Sequence, residues 1–325
     1  MATDYILFVH GVNTRTSDYA DRLFDLIRSS TGSLHRNLEK IVIYWGDVNK
    51  DQEQALLAAY QASPVWQKLW FKELRATQLT QFAGDAALYL SRYVGAKVAK
   101  LVEEQAVTGL SNHQEKDRLH LVTHSLGTVI LFDMLFSARW DQPGIPGADS
   151  VAAIREVIFG ISPNPINGIR LGSISTMGSP IGIFSLMDVD QKSIQDTKNA
   201  QGDVVCTHDI TPRLAQLLYS LHEELGTKLP WRNFAHPGDP VAYPLSGLLP
   251  TLVDNSSAYL DIRDILTHPA DLPDFLTEPF SQSLLAMLHG GAAHMSYLQS
   301  REVARRIAET IRAVAKDVEA STSVS

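Results

Sequence analysis

The sequence predicts an α/β fold, a doubly wound and mostly parallel sheet flanked by helices. Three observations carry that expectation. Short, continuously apolar runs end at glycine or at a turn, as strands buried on both faces do, helix-period segments separate them, and the chain closes on an amphipathic helix. With 325 residues, 45% of them hydrophobic and 20% charged, there is enough apolar material for a large core.

The first run, Tyr5-Ile6-Leu7-Phe8-Val9, stops at His10-Gly11, which suggests a buried strand running into a tight loop. Residues 18–29 then place Tyr19, Leu23, Leu26 and Ile27 near helical spacing. Lys40-Ile41-Val42-Ile43-Tyr44-Trp45 follows as a second strand ended by Gly46-Asp47, which completes a β-α-β unit. Residues 52–105 are helical in pattern and rich in aromatics, with Pro64 as an interruption. Leu119-His120-Leu121-Val122 is a third strand, and the helix after it, 126–138, carries Val129, Ile130 and Phe132 to pack on a sheet. A further apolar segment, 169–177, ends at Gly178-Ser179-Pro180, with shorter strands expected at 231–234 and 257–262. In the last helix Val303, Ile307, Ile311 and Val314 share one face, while Arg305, Arg306, Arg312 and Lys316 lie largely elsewhere. No internal repeat or low-complexity linker divides the chain. The expectation is one domain over 1–325, in which about 48–105 and 181–230 are helical or loop excursions in the position of a cap.

Composition narrows the function classes. A net charge of −8 supplies no broad basic face for phosphates, so a nucleic-acid binder is not expected. Cys206 is the only cysteine, which leaves no intramolecular disulfide to form, and the first residues lack the basic and apolar regions of a secretory signal; a cytoplasmic location is the expectation. No His-x-x-x-His pair has an attendant glutamate and a lone cysteine cannot build a thiolate site, so no metal is expected. Neither G-x-G-x-x-G after the first strand nor G-x-x-x-x-G-K-[ST] occurs, so no nucleotide or other cofactor is expected.

The chemistry concentrates at Thr123-His124-Ser125-Leu126-Gly127, which joins the third strand to its helix. A sharp strand-to-helix turn exposes a serine hydroxyl at the strand's carboxyl end, beside the helix amino terminus. Ser125 is the candidate nucleophile. Gly127 suits the close backbone approach of such a turn, whereas Thr123 stands where glycine is usual. A serine hydroxyl needs a histidine to take its proton and a carboxylate to hold that histidine in the right tautomer. Downstream, Asp239 lies in Pro237-Gly238-Asp239-Pro240-Val241 just beyond a candidate strand, and His294 lies in a small-residue loop before the last helix.

Together, Val9-His10-Gly11-Val12, the Thr-His-Ser-Leu-Gly run, Met177-Gly178-Ser179-Pro180, Asp239-Pro240-Val241 and His294 resemble the α/β-hydrolase superfamily, its lipase and esterase branch most. The resemblance implies the chain order Ser125, Asp239, His294 for a triad. It also implies an oxyanion hole from the backbone N–H groups of Val12 and Leu126, each donor worth roughly 3 kcal/mol. The activity implied is cleavage of a carboxylic ester with an apolar acyl group through an acyl-enzyme, on a small-molecule or lipid ester. Acyl transfer or thioester hydrolysis by the same triad, and a catalytically silent scaffold that binds protein or lipid, are the competing readings.

Each residue also has a structural reading. Ser125 could cap a helix, Asp239 could bond its own turn, with Asp209, Asp261 and Asp264 as rival acids, and His294 could be a helix-start histidine, with His289, His268 and His236 as alternatives. His10 and His124 fit structural roles around the elbow better than proton transfer. Trp66, Leu69, Trp70 and Phe71 have helix-compatible spacing, either as core or as a lid that shields an acyl chain and makes transient contact with a membrane surface.

Overall fold

A computed structural model of the chain describes residues 1–12, 14–32, 35–48, 50–68, 92–182, 210–254, 257–267 and 293–322. Six strands, β1 (Thr3–Val9), β2 (Asn37–Ile43), β3 (Arg118–His124), β4 (Arg170–Met177), β5 (Leu229–Ala235) and β6 (Leu260–Leu266), form one sheet in the order β2-β1-β3-β4-β5-β6. Every pairing is parallel. The chain begins inside the sheet, runs out to the β2 edge, returns to the far side of β1 as β3 and then proceeds to the β6 edge. Strand order therefore reverses between β1 and β3, which opens a crevice beyond their carboxyl ends. His10 and Ser125 stand at the two tips that border it.

Alternation along the strands splits the core in two. Tyr5, Leu7 and Val9 face one side with Leu119, Leu121 and Ile174, while Ile6 and Phe8 face the other with Val122, Met177 and Phe234. The first layer is covered by α3 (Arg92–Leu110), α4 (Leu126–Phe136), α5 (Ala148–Glu156) and α6 (Thr211–Leu225), through residues such as Val98, Ile130, Val151 and Leu217. The second is covered by α1 (Asp21–Thr31) and α7 (Arg301–Thr322), through Leu23, Ile27, Val303, Ile307 and Ile311. Full burial of one such side chain contributes about 1.5–3 kcal/mol, so this alternation is what holds each strand in register. The helix α2 (Lys50–Gln61) leads into a short 3-10 turn, Trp66–Lys68. Among the described residues no helix is long and apolar enough to cross a membrane.

Several expectations shift in detail. β2 ends at Ile43, which leaves Tyr44 and Trp45 in the loop, and the sixth strand begins at Leu260 rather than at 257. The helix α5 is not among the expected elements, and α6 falls within the 181–230 excursion but packs on the sheet, with Leu214, Leu217, Leu218 and Leu221 repeating on one buried face. A parallel, doubly wound sheet with a serine at the turn out of a central strand is the α/β-hydrolase fold implied by the resemblance.

Candidate active site

The elbow exists as backbone geometry. Ser125 has φ 54° and ψ −134°, one of only two non-glycine residues with positive φ among the described residues, and α4 starts at the next residue. Such a conformation costs an L-residue on the order of 1–3 kcal/mol, so the surroundings must hold it. They do so by contact and hydrogen bonding. The Ser125 N–H donates to the Met177 carbonyl at 2.9 Å, which ties the elbow to the tip of β4. A Cβ on Gly127 would lie 2.2 Å from the His10 carbonyl oxygen, and one on Gly11 would lie 2.4 Å from Ser125 Cβ, so both glycines are required for the loops to close over each other. Thr123 fits the place of the usual glycine because it is fully buried and its hydroxyl shares a 2.8 Å hydrogen bond with that of Thr128, one turn into α4.

Asp239 and His294, far apart in sequence, meet in the structure. Asp239 sits in the loop after β5 and accepts from His294 Nδ1 through Oδ2 at 2.9 Å. Its other oxygen accepts the Val241 N–H at 3.0 Å, so the turn-aspartate reading holds as well: one oxygen shapes the loop while the other holds the histidine. Burial raises the Asp239 pKa, but hydrogen bonds from His294, Val241 and Tyr297 outweigh it and hold the carboxyl below its ordinary value. The rivals are otherwise engaged. Asp261 pairs with Arg232 and Arg263, and Asp264 accepts from the backbone of Leu245 and Ser246 and from Asn233, which pins the loop carrying Asp239. His236 lies on that loop, where its Nδ1 accepts from the Gly238 N–H. Asp209, His268 and His289 lie outside the described residues.

Two atoms are conspicuous at the junction. Ser125 Oγ and His294 Nε2 are both buried and neither has a hydrogen-bond partner among the described residues, although each belongs to a group that normally finds one. They make no hydrogen bond with each other. The His294 ring is 4.6 Å from that of His124, next in sequence to Ser125, and a Cβ on Gly178 would be 3.0 Å from His294 Nδ1 and 2.7 Å from Asp239 Oδ2. Gly178, with φ 54°, thus clears the space into which acid and base project.

Flanking histidines serve as fittings. His124 Nε2 is 2.7 Å from the His294 carbonyl oxygen, so it must donate, which fixes a neutral tautomer; burial and the neighbouring His294 lower its pKa to about 3. His10 donates from Nδ1 to the Gly11 carbonyl at 2.5 Å, accepts the Trp45 N–H on Nε2 at 3.0 Å and stacks on the Trp45 ring. Burial lowers its pKa to about 4. A trans peptide sends its C=O and N–H to opposite sides, so His10's grip on the Gly11 carbonyl turns the Val12 N–H away from His10. Leu126, as the first residue of α4, has an N–H without an intrahelical partner.

Of the aromatic segment, Trp66 is buried and stacks on Tyr60, whereas Leu69, Trp70 and Phe71 lie outside the described residues. The sequence marks Gly178 and Trp45 only as strand ends and gives no sign of Tyr297, which lies three positions after His294, at helical spacing. Among the described residues no group of three or more His, Cys, Asp or Glu side chains is arranged to hold a metal ion.

No protein-family model matches the sequence, and no curated protein matches it with significance. Solved structures similar to it include a dienelactone hydrolase from Anabaena variabilis, at 11% identity over 91% of this chain and 86% of that one, with a TM-score of 0.32. A thioesterase from the prodiginine biosynthetic pathway of Streptomyces coelicolor is similar at 15% identity over 89% of each chain, with a TM-score of 0.27. Likenesses this distant leave the chemistry to be judged from the chain's own geometry.

Proposed function

We propose that the protein is a serine hydrolase that cleaves carboxylic esters through an acyl-enzyme on Ser125. One observation carries the reading: a serine held at positive φ on a strand-to-helix turn, its hydroxyl buried without a partner among the described residues, with the adjoining His124 packed on a histidine already hydrogen-bonded to a buried carboxylate. In this reading His294 Nε2 takes the Ser125 proton as Oγ attacks the ester carbonyl, and Asp239 stabilises the imidazolium that forms. The Val12 and Leu126 N–H groups receive the developing oxyanion, helped by the positive end of α4. His294 then protonates the departing alkoxide, and water, activated in the same way, releases the acid.

The reading includes an apolar acyl group because the chain leaving β4 is itself packed in hydrocarbon. Ile181 is buried, and a Cβ on Gly182 would lie 3.4 Å from a Leu248 methyl and 3.5 Å from one of Leu245, so this segment runs into hydrocarbon within four residues of Gly178. The test is a fluorophosphonate probe followed by p-nitrophenyl esters of increasing chain length. Labelling of wild type at Ser125 is expected, with kcat/KM rising with chain length; labelling of another residue, or none in folded protein, would overturn the assignment. Added alcohols that capture the acyl group faster than water would move the reading to acyl transfer.

A further inference from the structure

We propose that Tyr297 is a positioning residue of this site, which sets the orientation of Asp239 and how much of its charge reaches His294; the inference rests on the triad reading above. The Tyr297 hydroxyl donates at 2.8 Å to Asp239 Oδ2, the same oxygen that receives His294 Nδ1 at 2.9 Å. Its direction is not free. The His236 backbone N–H, which can only donate, reaches the Tyr297 oxygen at 2.7 Å, so the phenolic proton is left for the carboxylate. A relay of fixed polarity results: His236 N–H to Tyr297, Tyr297 O–H to Asp239, with His294 N–H on the other side of the same acceptor.

The ring is locked as firmly as the hydroxyl. Tyr297 is fully buried, and a Cβ on Gly178 would lie 2.9 Å from its Cε2, so the side chain cannot swing without displacing the tip of β4. Burial, with the Asp239 charge beside it, pushes the phenol pKa up, so the group stays a donor. Three donors then hold the Asp239 carboxylate in one rotamer. Two of them share one oxygen, and a shared acceptor binds each donor less strongly than an unshared one would. Tyr297 accordingly restrains the ion pair that forms when His294 is protonated, which keeps His294 available as a base to lower pH.

Hydrolysis of p-nitrophenyl acetate as a function of pH tests this. Tyr297→Phe should lower kcat by about 3- to 30-fold with KM within about twofold, and should move the acidic limb of kcat/KM to higher pH by about half a unit. Placing 3-fluorotyrosine at position 297 keeps an oxygen for the His236 N–H, as a weaker acceptor, and strengthens the donor to Asp239, so the limb should move to lower pH. This second protein carries the test should Tyr297→Phe fail to fold. A purely structural role would change thermal stability and leave both profiles superimposed on wild type, which would overturn the inference. Loss of probe labelling in Ser125→Ala together with unmoved profiles removes only the role of Tyr297, whereas turnover retained by Ser125→Ala removes the triad itself.

Discussion

The sheet contains two groupings of serine, histidine and aspartate, and only one of them has the surroundings of a catalytic site. At the carboxyl edge stand Ser125, His294 and Asp239. In the amino-terminal half, Ser173 Oγ lies 2.8 Å from His120 Nδ1, and His120 Nε2 lies 3.7 Å from Asp4 Oδ1. The second group spans β1, β3 and β4, with His120 and Ser173 register partners and Asp4 paired two residues away with Arg118; all three side chains are buried, and Arg36 donates to Asp4 at 2.9 Å. Its serine sits mid-strand, with no turn to expose the hydroxyl and no helix terminus beside it. At 3.7 Å its aspartate is beyond hydrogen-bonding reach of the histidine. Side-chain identity is therefore the smaller part of a triad; the elbow, the strand tips and the helix terminus are the larger.

Substituting the two serines should separate the groups most sharply. Ser125→Ala is expected to lower kcat by about 10⁴- to 10⁶-fold and to abolish probe labelling, while Ser173→Ala leaves turnover within about twofold. Comparable losses from both would break the distinction. The acids should differ in kind. Asp239→Asn should cost about 10⁴-fold in kcat by holding His294 in the wrong tautomer, with little loss of stability. Asp4→Asn should leave kcat intact and cost about 2 kcal/mol in urea unfolding, by weakening a charged hydrogen bond with Arg36.

Acid should find the carboxyl edge first. His10 and His124 fall from an ordinary 6.5 to about 4 and about 3 because burial disfavours their charged forms. The unfolded chain therefore binds more protons than the folded one between those values. This contribution is complete above about pH 6.5 and is lost as pH falls toward 4, at up to about 1.4 kcal/mol per unit per histidine. For Asp4, burial raises the pKa, but the His120 and Arg36 contacts carry it below the ordinary 3.8. Its contribution is present above 3.8 and lost only as pH falls through the lower folded value. Urea unfolding from pH 7 to 3 should thus show a decline starting near 6.5, and His10→Asn should flatten it; a constant stability down to pH 4.5 would contradict the assignment. The smallest effect belongs to Thr123→Val, expected to cost about 1 kcal/mol by leaving Thr128 unpaired, with kcat within about threefold.

Much of this site is legible in one dimension because its residues sit where strands end. Each tip leaves a local mark: His10-Gly11 after β1, Ser125 between Thr123 and Gly127 after β3, Gly178 after β4, Asp239 in a Pro-Gly-Asp-Pro turn after β5. The helices α5 and α6 carry weaker local marks, α5 because its sequence mixes apolar and polar residues evenly and α6 because it follows a stretch without landmarks. His120 shows the opposite limit. It shares a His-x-x-x-His spacing with His124, yet on a strand that spacing puts one against Ser173 and Asp4 and the other against His294.

By itself, then, the sequence determined the sheet, the order of its tips and the identity of Ser125, Asp239 and His294 as candidates, since apolar period and turn chemistry are local properties of a chain. Only the tertiary structure decided that Asp239 rather than Asp261 or Asp264 meets His294, that His124 and His10 are neutral fittings, and that Tyr297 shares the acid's oxygen. Those outcomes depend on contacts between residues 55 to 170 positions apart, where burial and the fixed direction of each hydrogen bond select one partner from several of the same chemical type.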